Sequence, residues 1–594
     1  MDETEGAASE ETTPQGNATA DERALLLALA SQPLPRRLKG YLALSGPGWL
    51  QSAITLGGGS LGSSLYLGVL AGFSLLWLQP LAMVLGIIML SAIGYVTLST
   101  GERPFQAINK HVNPVLGWGW ALATLAANMV WALPQYSLAN GVLQQNLLPT
   151  LLSSDDPQTN FHCKLIIAGA ILVITTAITW SYDSGHWGVR LYEKILKLLV
   201  AAIVACFVGV VLRIAFSSDG IEWSALLSGF IPNFNTIFEP APGLAPLLEA
   251  LGPDDRAEWT RLIVSEQRNV MISAAATAVG INMTFLLPYS MLARGWRREH
   301  RGLSMFDLCT GMFIPYLLAT SCVVIASAQQ FHPGVHDSEG NIASWNELEG
   351  KTRGKAEDRL FERLVGKEEF AQFKEQEKQL QADNQPDELA ALRAERATQI
   401  AAMSDAEKQL AAATIRRDAF DLANSLKPLT GSAFANYIFG FGVLGMTLST
   451  ITLLMLISGF VICEILGLPP TGWPHRIGTL AAATGALGPF IWADAAFYLV
   501  VPTSVFGFML IPIAYLTFFL LINQKSLLGD ELPRGGKRFV GNVLMAVAAG
   551  VTTVASVASV WYRAEWKGMA AIGIFVGAAL VVHFARKQRR KTSV

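Results

Sequence analysis

The sequence predicts an all-α polytopic membrane protein of about twelve transmembrane helices, with the first and sixth helices broken. Three observations lead there. The 594 residues are 52% hydrophobic and only 15% charged, whereas soluble domains carry about 25% charged residues. Apolar stretches of about twenty residues recur along the chain, each long enough to cross a bilayer. Two of those stretches carry glycine and polar residues at mid-span, where each glycine costs a helix about 1 kcal/mol relative to alanine.

Residues 1–42 are polar and mostly acidic, and they read as a disordered cytoplasmic tail ending in Arg36, Arg37 and Lys39. No basic segment precedes an apolar run there, so no secretory signal is expected. Apolar spans follow at roughly 43–71, 74–100, 116–148, 164–182, 191–216, 270–293 and 304–330. Five more fall at roughly 434–466, 476–493, 495–523, 539–562 and 567–586. The chain thus divides into spans 1–7 (43–330), a charged insertion (331–430), spans 8–12 (431–586) and a basic tail (587–594). Alternate connections are basic, among them those with Arg103, Lys110 and Arg190 and the run RGWRREHR from Arg294 to Arg301. By the positive-inside rule these lie in the cytoplasm together with both termini. The expected location is a bacterial inner (plasma) membrane.

Two outward segments stand apart. The first, 217–268, is rich in proline and glycine. The second, 331–430, is rich in Ala, Glu, Lys, Leu and Gln, with apolar residues every three or four positions. That pattern reads as an exposed helical hairpin, either a solvated cap or a docking element for a protein partner.

Ionisable groups inside a bilayer are costly and usually functional. None is expected deep in a span, because Glu193, Asp307, Glu464 and Asp494 fall within a turn or two of predicted ends. The histidines, for example His111, His186, His300 and His475, read as interfacial or solvated. The five cysteines are scattered without a C-x-x-C pair, which argues against a disulfide framework or thiolate metal site. No Walker loop, H-E-x-x-H or nucleophile elbow occurs, so neither an enzyme nor an ATPase is expected. No cofactor and no nucleic-acid partner is expected either.

The spans do contain broken helix. Span 1 holds LGGGSLGSS from Leu56 to Ser64, and span 6 holds TAVGINMTFLLPYS from Thr277 to Ser290. Interruptions in corresponding spans of two halves point to a transporter site at the repeat interface. Spans 1 and 6 open two five-helix halves, which is the LeuT type of 5+5 inverted repeat. Unwinding there frees N–H groups at the start of each second half, where helix ends attract small anions.

The stretch GPGWLQSAITLGGGSLG resembles the first span of the Nramp divalent-metal transporters, which begins G-P-G-F-L and reaches D-P-G-N eleven residues on. In that register Gly57 stands for Asp, Gly58 for Pro, Gly59 for Gly and Ser60 for Asn. Span 6 resembles the family's G-A-T-V-M-P-H, with Gly280 kept, Ile281 for Ala, Thr284 for Met and Leu286 for His. The approach to span 8, from DAFDLANSLKPL to GFVICEIL, and the span-10 stretch YLVVPTSVFGFMLIPIAYLTFFLLINQKSLLG are similar to the family's segments. The resemblance implies a LeuT-type fold working by alternating access. It also implies a proton-coupled divalent-metal cargo, yet the metal-binding side chains are missing from their aligned positions.

The leading expectation is therefore a divergent Nramp-related secondary transporter for a small anion or zwitterion: bicarbonate, a carboxylate or an amino acid. Candidate substrate-binding residues are Gly57, Gly58, Gly59, Ser60, Asn282 and Thr284. Thr447, Ser449 and Thr450 on span 8 and Thr503 and Ser504 on span 10 are further candidates. No metal-site residue is expected. Sodium coupling is compatible with carbonyl and hydroxyl ligands. The alternatives are a carrier of hydrated Mg²⁺ or of Mn²⁺, and a scaffold or receptor that has lost transport.

Overall fold

The computed structural model describes residues 22–29, 31–154, 156–216, 220–333, 345, 348, 350–417, 419–431, 434–491 and 496–592. Among these residues the chain is helical throughout its regular structure. Nine helices are long and apolar enough to cross a membrane, and a tenth span is the bent pair Pro47–Thr55 and Gly58–Ala71. The expected twelve are reached in two further ways. Gly535–Thr592 is interrupted at Glu565 (φ 45°, ψ −137°), so it comprises two helices. Span 9 is assembled from Gly472–Thr479, a 3-10 stretch Leu480–Leu487 and Gly488–Ile491. Asp494 lies outside the described residues.

Span 1 is Pro47–Thr55 followed by Gly58–Ala71, bent by 54° at the break. Span 6 is Pro253–Ala278 followed by Ile281–Ala293, with Val279 and Gly280 extended between them. Spans 3 (Pro114–Val142), 8 (Phe439–Leu466) and 10 (Ala496–Leu521) close around these breaks. Spans 5 (Gly185–Ala215) and 7, whose last part is Ile314–Phe331, pack outside span 1.

Three expectations change. The tail is helical over Leu34–Leu44, where an apolar stripe seats Tyr41 and Leu44 in the core. Span 6 begins at Pro253, well inside the expected 217–268 segment. Its first turns carry Asp254, Asp255 and Glu258, so hydropathy conceals a helix that continues beyond the apolar layer. The insertion is not a hairpin but a small bundle: Gly350–Val365, Lys367–Ala382, Pro386–Ala401 and Asp405–Thr414, with Ala419–Thr430 leading to span 8. Gly366 and Asn384 adopt positive φ at its turns, and a Ser404–Glu407 capping box starts its fourth helix. Leu360, Phe361, Phe373, Ile400 and Leu410 form its core.

Polar groups expected at interfaces are also more enclosed than their sequence positions imply. His475 is fully buried and bonds Asp183 at 2.9 Å. Glu193 is buried and faces Arg294 at 3.2 Å. The five cysteines are unpaired.

Candidate functional site

The two breaks meet in one cavity, and each break is fixed by local geometry. Thr55 ends the first half of span 1, Leu56 turns (φ −80°, ψ 63°), and Gly57 is extended (φ −112°, ψ −179°) before Gly58 opens the second half. None of these φ values needs glycine. What needs glycine is space: a Cβ on Gly57 would lie 2.5 Å from Thr450 Oγ1. A Cβ on Gly280 would lie 2.3 Å from the Trp131 ring.

The cavity has a volume of about 30 Å³. Span 1 contributes Ile54, Thr55, Gly57, Gly59 and Ser60, and span 6 contributes Thr277, Gly280, Asn282 and Met283. Trp131 and Gln135 of span 3, Thr450 of span 8, and Thr503 and Ser504 of span 10 complete the wall. No wall residue carries a formal charge. Among the described residues no group of three or more His, Cys, Asp or Glu could hold a metal ion.

The hydrogen bonds show which groups remain available. Gly58 N–H, at the start of a helix without a side-chain cap, donates to Gln135 Oε1 at 3.0 Å. Ser60 Oγ donates to Gly57 O at 2.9 Å, and Thr450 Oγ1 donates to Met446 O at 2.8 Å. Trp131 Nε1 donates to Thr503 O at 2.7 Å, which fixes the ring over Gly280. Asn282 Oδ1 accepts from Met283 N at 2.9 Å, while buried Asn282 Nδ2 has no partner among the described residues. Met283 Sδ accepts from Gly280 N at 3.3 Å and from the Thr55 hydroxyl at 3.4 Å.

Of the expected residues, Gly57, Gly59, Ser60, Asn282, Thr450, Thr503 and Ser504 line the cavity. Gly58 contributes through its N–H to Gln135. Thr284 lies outside the wall, where its hydroxyl accepts from Trp120 Nε1 at 2.7 Å. Ser449 ties span 8 to span 1 by donating to Ala53 O at 2.9 Å, and Thr447 bonds its own helix at Leu444 O. Thr55, Trp131, Gln135 and Met283 were not expected. Trp131 and Gln135 stand four apart on one helix and so share a face, a signal the sequence does carry. Met283 is one residue from the position where the family resemblance puts sulfur. One turn before Thr55, Gln51 is fully buried, and neither of its amide atoms has a partner among the described residues.

No curated protein sequence matches the chain. Solved structures similar to it include two single-residue mutants of a manganese transporter of Eremococcus coleocola. One aligns with a TM-score of 0.58 and 15% identity, over 93% of this chain and 96% of that chain. The other gives 0.59, 15%, 93% and 96%. The same transporter in complex with an aromatic bis-isothiourea substituted compound gives 0.56 and 14%, over 92% of this chain and 93% of that one. At such identity the likeness establishes the fold. The family model described as Natural resistance-associated macrophage protein-like matches residues 48–356 and 363–561, so the chain belongs to the Nramp family.

Proposed function

We propose that this membrane transporter carries a small divalent cation by alternating access, holding it partly hydrated at the cavity where spans 1 and 6 break. The observation that carries this reading is Met283. Its thioether lines the wall beside Thr55 and Asn282, and a soft sulfur is a donor to a metal ion that an anion site has no use for. Hydroxyl and amide oxygens of Thr55, Ser60, Asn282 and Gln135 supply harder neutral donors nearby. The similar solved structures are of a manganese transporter, which supports the same cargo class.

Cavity size bears on the alternatives. A volume near 30 Å³ accommodates about two waters, or an ion with part of its shell. The missing carboxylate has a consequence for affinity. With neutral ligands only, binding is weak, because cation affinity falls with the charge count of the ligands. That suits an ion that keeps its waters, such as Mg²⁺, as well as Mn²⁺.

A small anion is the second reading. It is favoured by the unpartnered Asn282 Nδ2 and by two helix starts, at Gly58 and Ile281, that converge on the cavity. Uptake into proteoliposomes separates the two. Mg²⁺ or Mn²⁺ should accumulate, and Met283→Leu should cut Mn²⁺ uptake about tenfold, the equivalent of about 1.4 kcal/mol, with a smaller effect on Mg²⁺. Bicarbonate uptake without any metal flux would overturn the cation reading.

A further inference from the structure

The insertion is not a detached cap: it lies across the seam between the two broken spans. The second half of span 1, Gly58–Ala71, packs against the first half of span 6, Pro253–Ala278. Next to the cavity the two are joined by Ser63 and Ser273, whose hydroxyls are 2.7 Å apart. Farther from it, Tyr66 donates to Glu266 Oε2 at 3.0 Å. The insertion then adds Arg416, which pairs with the same Glu266 oxygen at 3.0 Å. The Arg416 guanidinium also stands over the Tyr66 ring, 5.0 Å from its centre. One insertion residue therefore holds one side chain from each half-helix.

A second attachment lies farther out on span 6. Arg363, from the first helix of the insertion, pairs with Asp255 and Glu258 of span 6 and with Glu407 of the insertion's own fourth helix. Its guanidinium is 5.7 Å from the ring of the fully buried Trp259. The insertion has a packed core of its own, with the Phe361 and Phe373 rings 4.8 Å apart, so both arginines project from one body.

We propose that the insertion is the lock on one of the two entrances to the cavity, with Arg416 as its bolt and Arg363 as its anchor. The glycine breaks make Gly58–Ala71 and Pro253–Ala278 separate levers, and opening the cavity toward the insertion requires them to part. While Arg416 bridges Tyr66 and Glu266 they are held together. Arg363 keeps the insertion on the span-6 lever, so breaking the Arg416 bridge loosens the span-1 lever, which then keeps only its direct hydrogen bonds to span 6 at Ser63–Ser273 and Tyr66–Glu266. Entry or exit on this side therefore depends on the insertion as well as on the spans, because Arg416 reinforces the Ser63–Ser273 and Tyr66–Glu266 contacts that the spans make directly. The inference rests on the transport reading, because a lock matters only to a solute that passes. Its test uses a readout that does not depend on flux.

Ser60 lines the cavity, so Ser60→Cys places a thiol behind the lock. In proteoliposomes, a membrane-impermeant thiol reagent is applied from the side that bears the insertion, and labelling is compared with the parent chain and its own cysteines. Ser60→Cys alone should label slowly. Adding Arg416→Gln should raise the rate about tenfold, and Arg416→Lys, which keeps the charge, should raise it less. Exchanging the pair, Arg416→Glu with Glu266→Arg, should return labelling toward the slow rate, and this keeps the test decisive if one single variant folds poorly. Unchanged labelling in Arg416→Gln overturns the proposal. So does an equal rise at Ser458→Cys on span 8, which would report general loosening. Absence of flux for every cation and anion tested would defeat the transport reading while leaving the labelling result to decide the lock.

Discussion

A methyl group at position 57 would sit 2.5 Å from the Thr450 hydroxyl, and one at position 280 would sit 2.3 Å from the Trp131 ring. Both glycines have negative φ, so crowding explains their presence and backbone freedom does not. The two sites differ in how they can relax. Thr450 Oγ1 is a short side-chain tip, whereas Trp131 is a large ring pinned to Thr503 O. Gly57→Ala should therefore cost about 1–3 kcal/mol, as overpacking does, and Thr450→Ala in the same chain should recover much of it. Thermal unfolding of the single and double variants checks this, and additive losses would refute the contact. The GGGS stretch made the break legible from sequence, because glycine is rarely spent at the centre of a span. Met283 was not legible, because alignment places residues by counting, while the cavity wall depends on where a helix restarts. With the helix beginning at Ile281 and Asn282 Oδ1 accepting the Met283 N–H, residue 283 turns inward and Thr284 turns to Trp120.

At the scale of elements, the membrane spans were readable and the insertion was not. Twenty apolar residues announce a span regardless of its neighbours. The charged start of span 6 has no such signature, and burial of Trp259, Ile263 and Val264 together with pairing to Arg363 and Arg416 holds Pro253 to Glu266 in place. The junction between span 7 and the insertion shows the same dependence on tertiary contact. His332 follows Phe331 at the end of span 7 and packs its ring against Gly72, with Nδ1 3.0 Å from Val69 O. Burial pushes its pKa down from 6.5 to about 4, and the bond to Val69 O opposes this only in part. Between those two values the unfolded chain binds a proton that the folded chain does not. Stability from this group is therefore complete above about pH 6.5 and is lost as the pH falls toward 4, up to about 3 kcal/mol. The charged neighbour on the insertion side, Arg417, stands over the Phe331 ring at 5.1 Å and does not relieve the cost. Melting temperature followed from pH 7.5 to 4.5 should fall more steeply in the parent than in His332→Gln. Parallel curves would show that the ring is not enclosed as described.

Over the whole molecule, charge is absent from the cavity and concentrated at the two ends of the broken spans. On the insertion side Tyr66, Glu266 and Arg416 join the levers. On the opposite side Asp307 of span 7 accepts from Gly46 N at 3.1 Å and Gly48 N at 2.7 Å, so a buried carboxylate caps the start of span 1. Arg294, which follows the second half of span 6, is held by Glu193 of span 5 at 3.2 Å and lies 3.6 Å from Glu22. Each end of the two broken spans thus has a charged tether, shared by Gly58–Ala71 and Pro253–Ala278 on the insertion side, and the neutral cavity lies between. A carrier must not release both ends at once, and in such an arrangement weakening one tether shifts the population toward opening on that side. Asp307→Asn removes the charge that two N–H groups share while keeping the shape. It should speed labelling of Ser60→Cys from the side of the basic segments and leave labelling from the insertion side unchanged or slower. Arg416→Gln should do the reverse. Those opposed shifts are what a two-gated carrier requires. If Asp307→Asn speeds labelling equally from both sides, the tethers merely stabilise the bundle, and the assignment of separate gates fails.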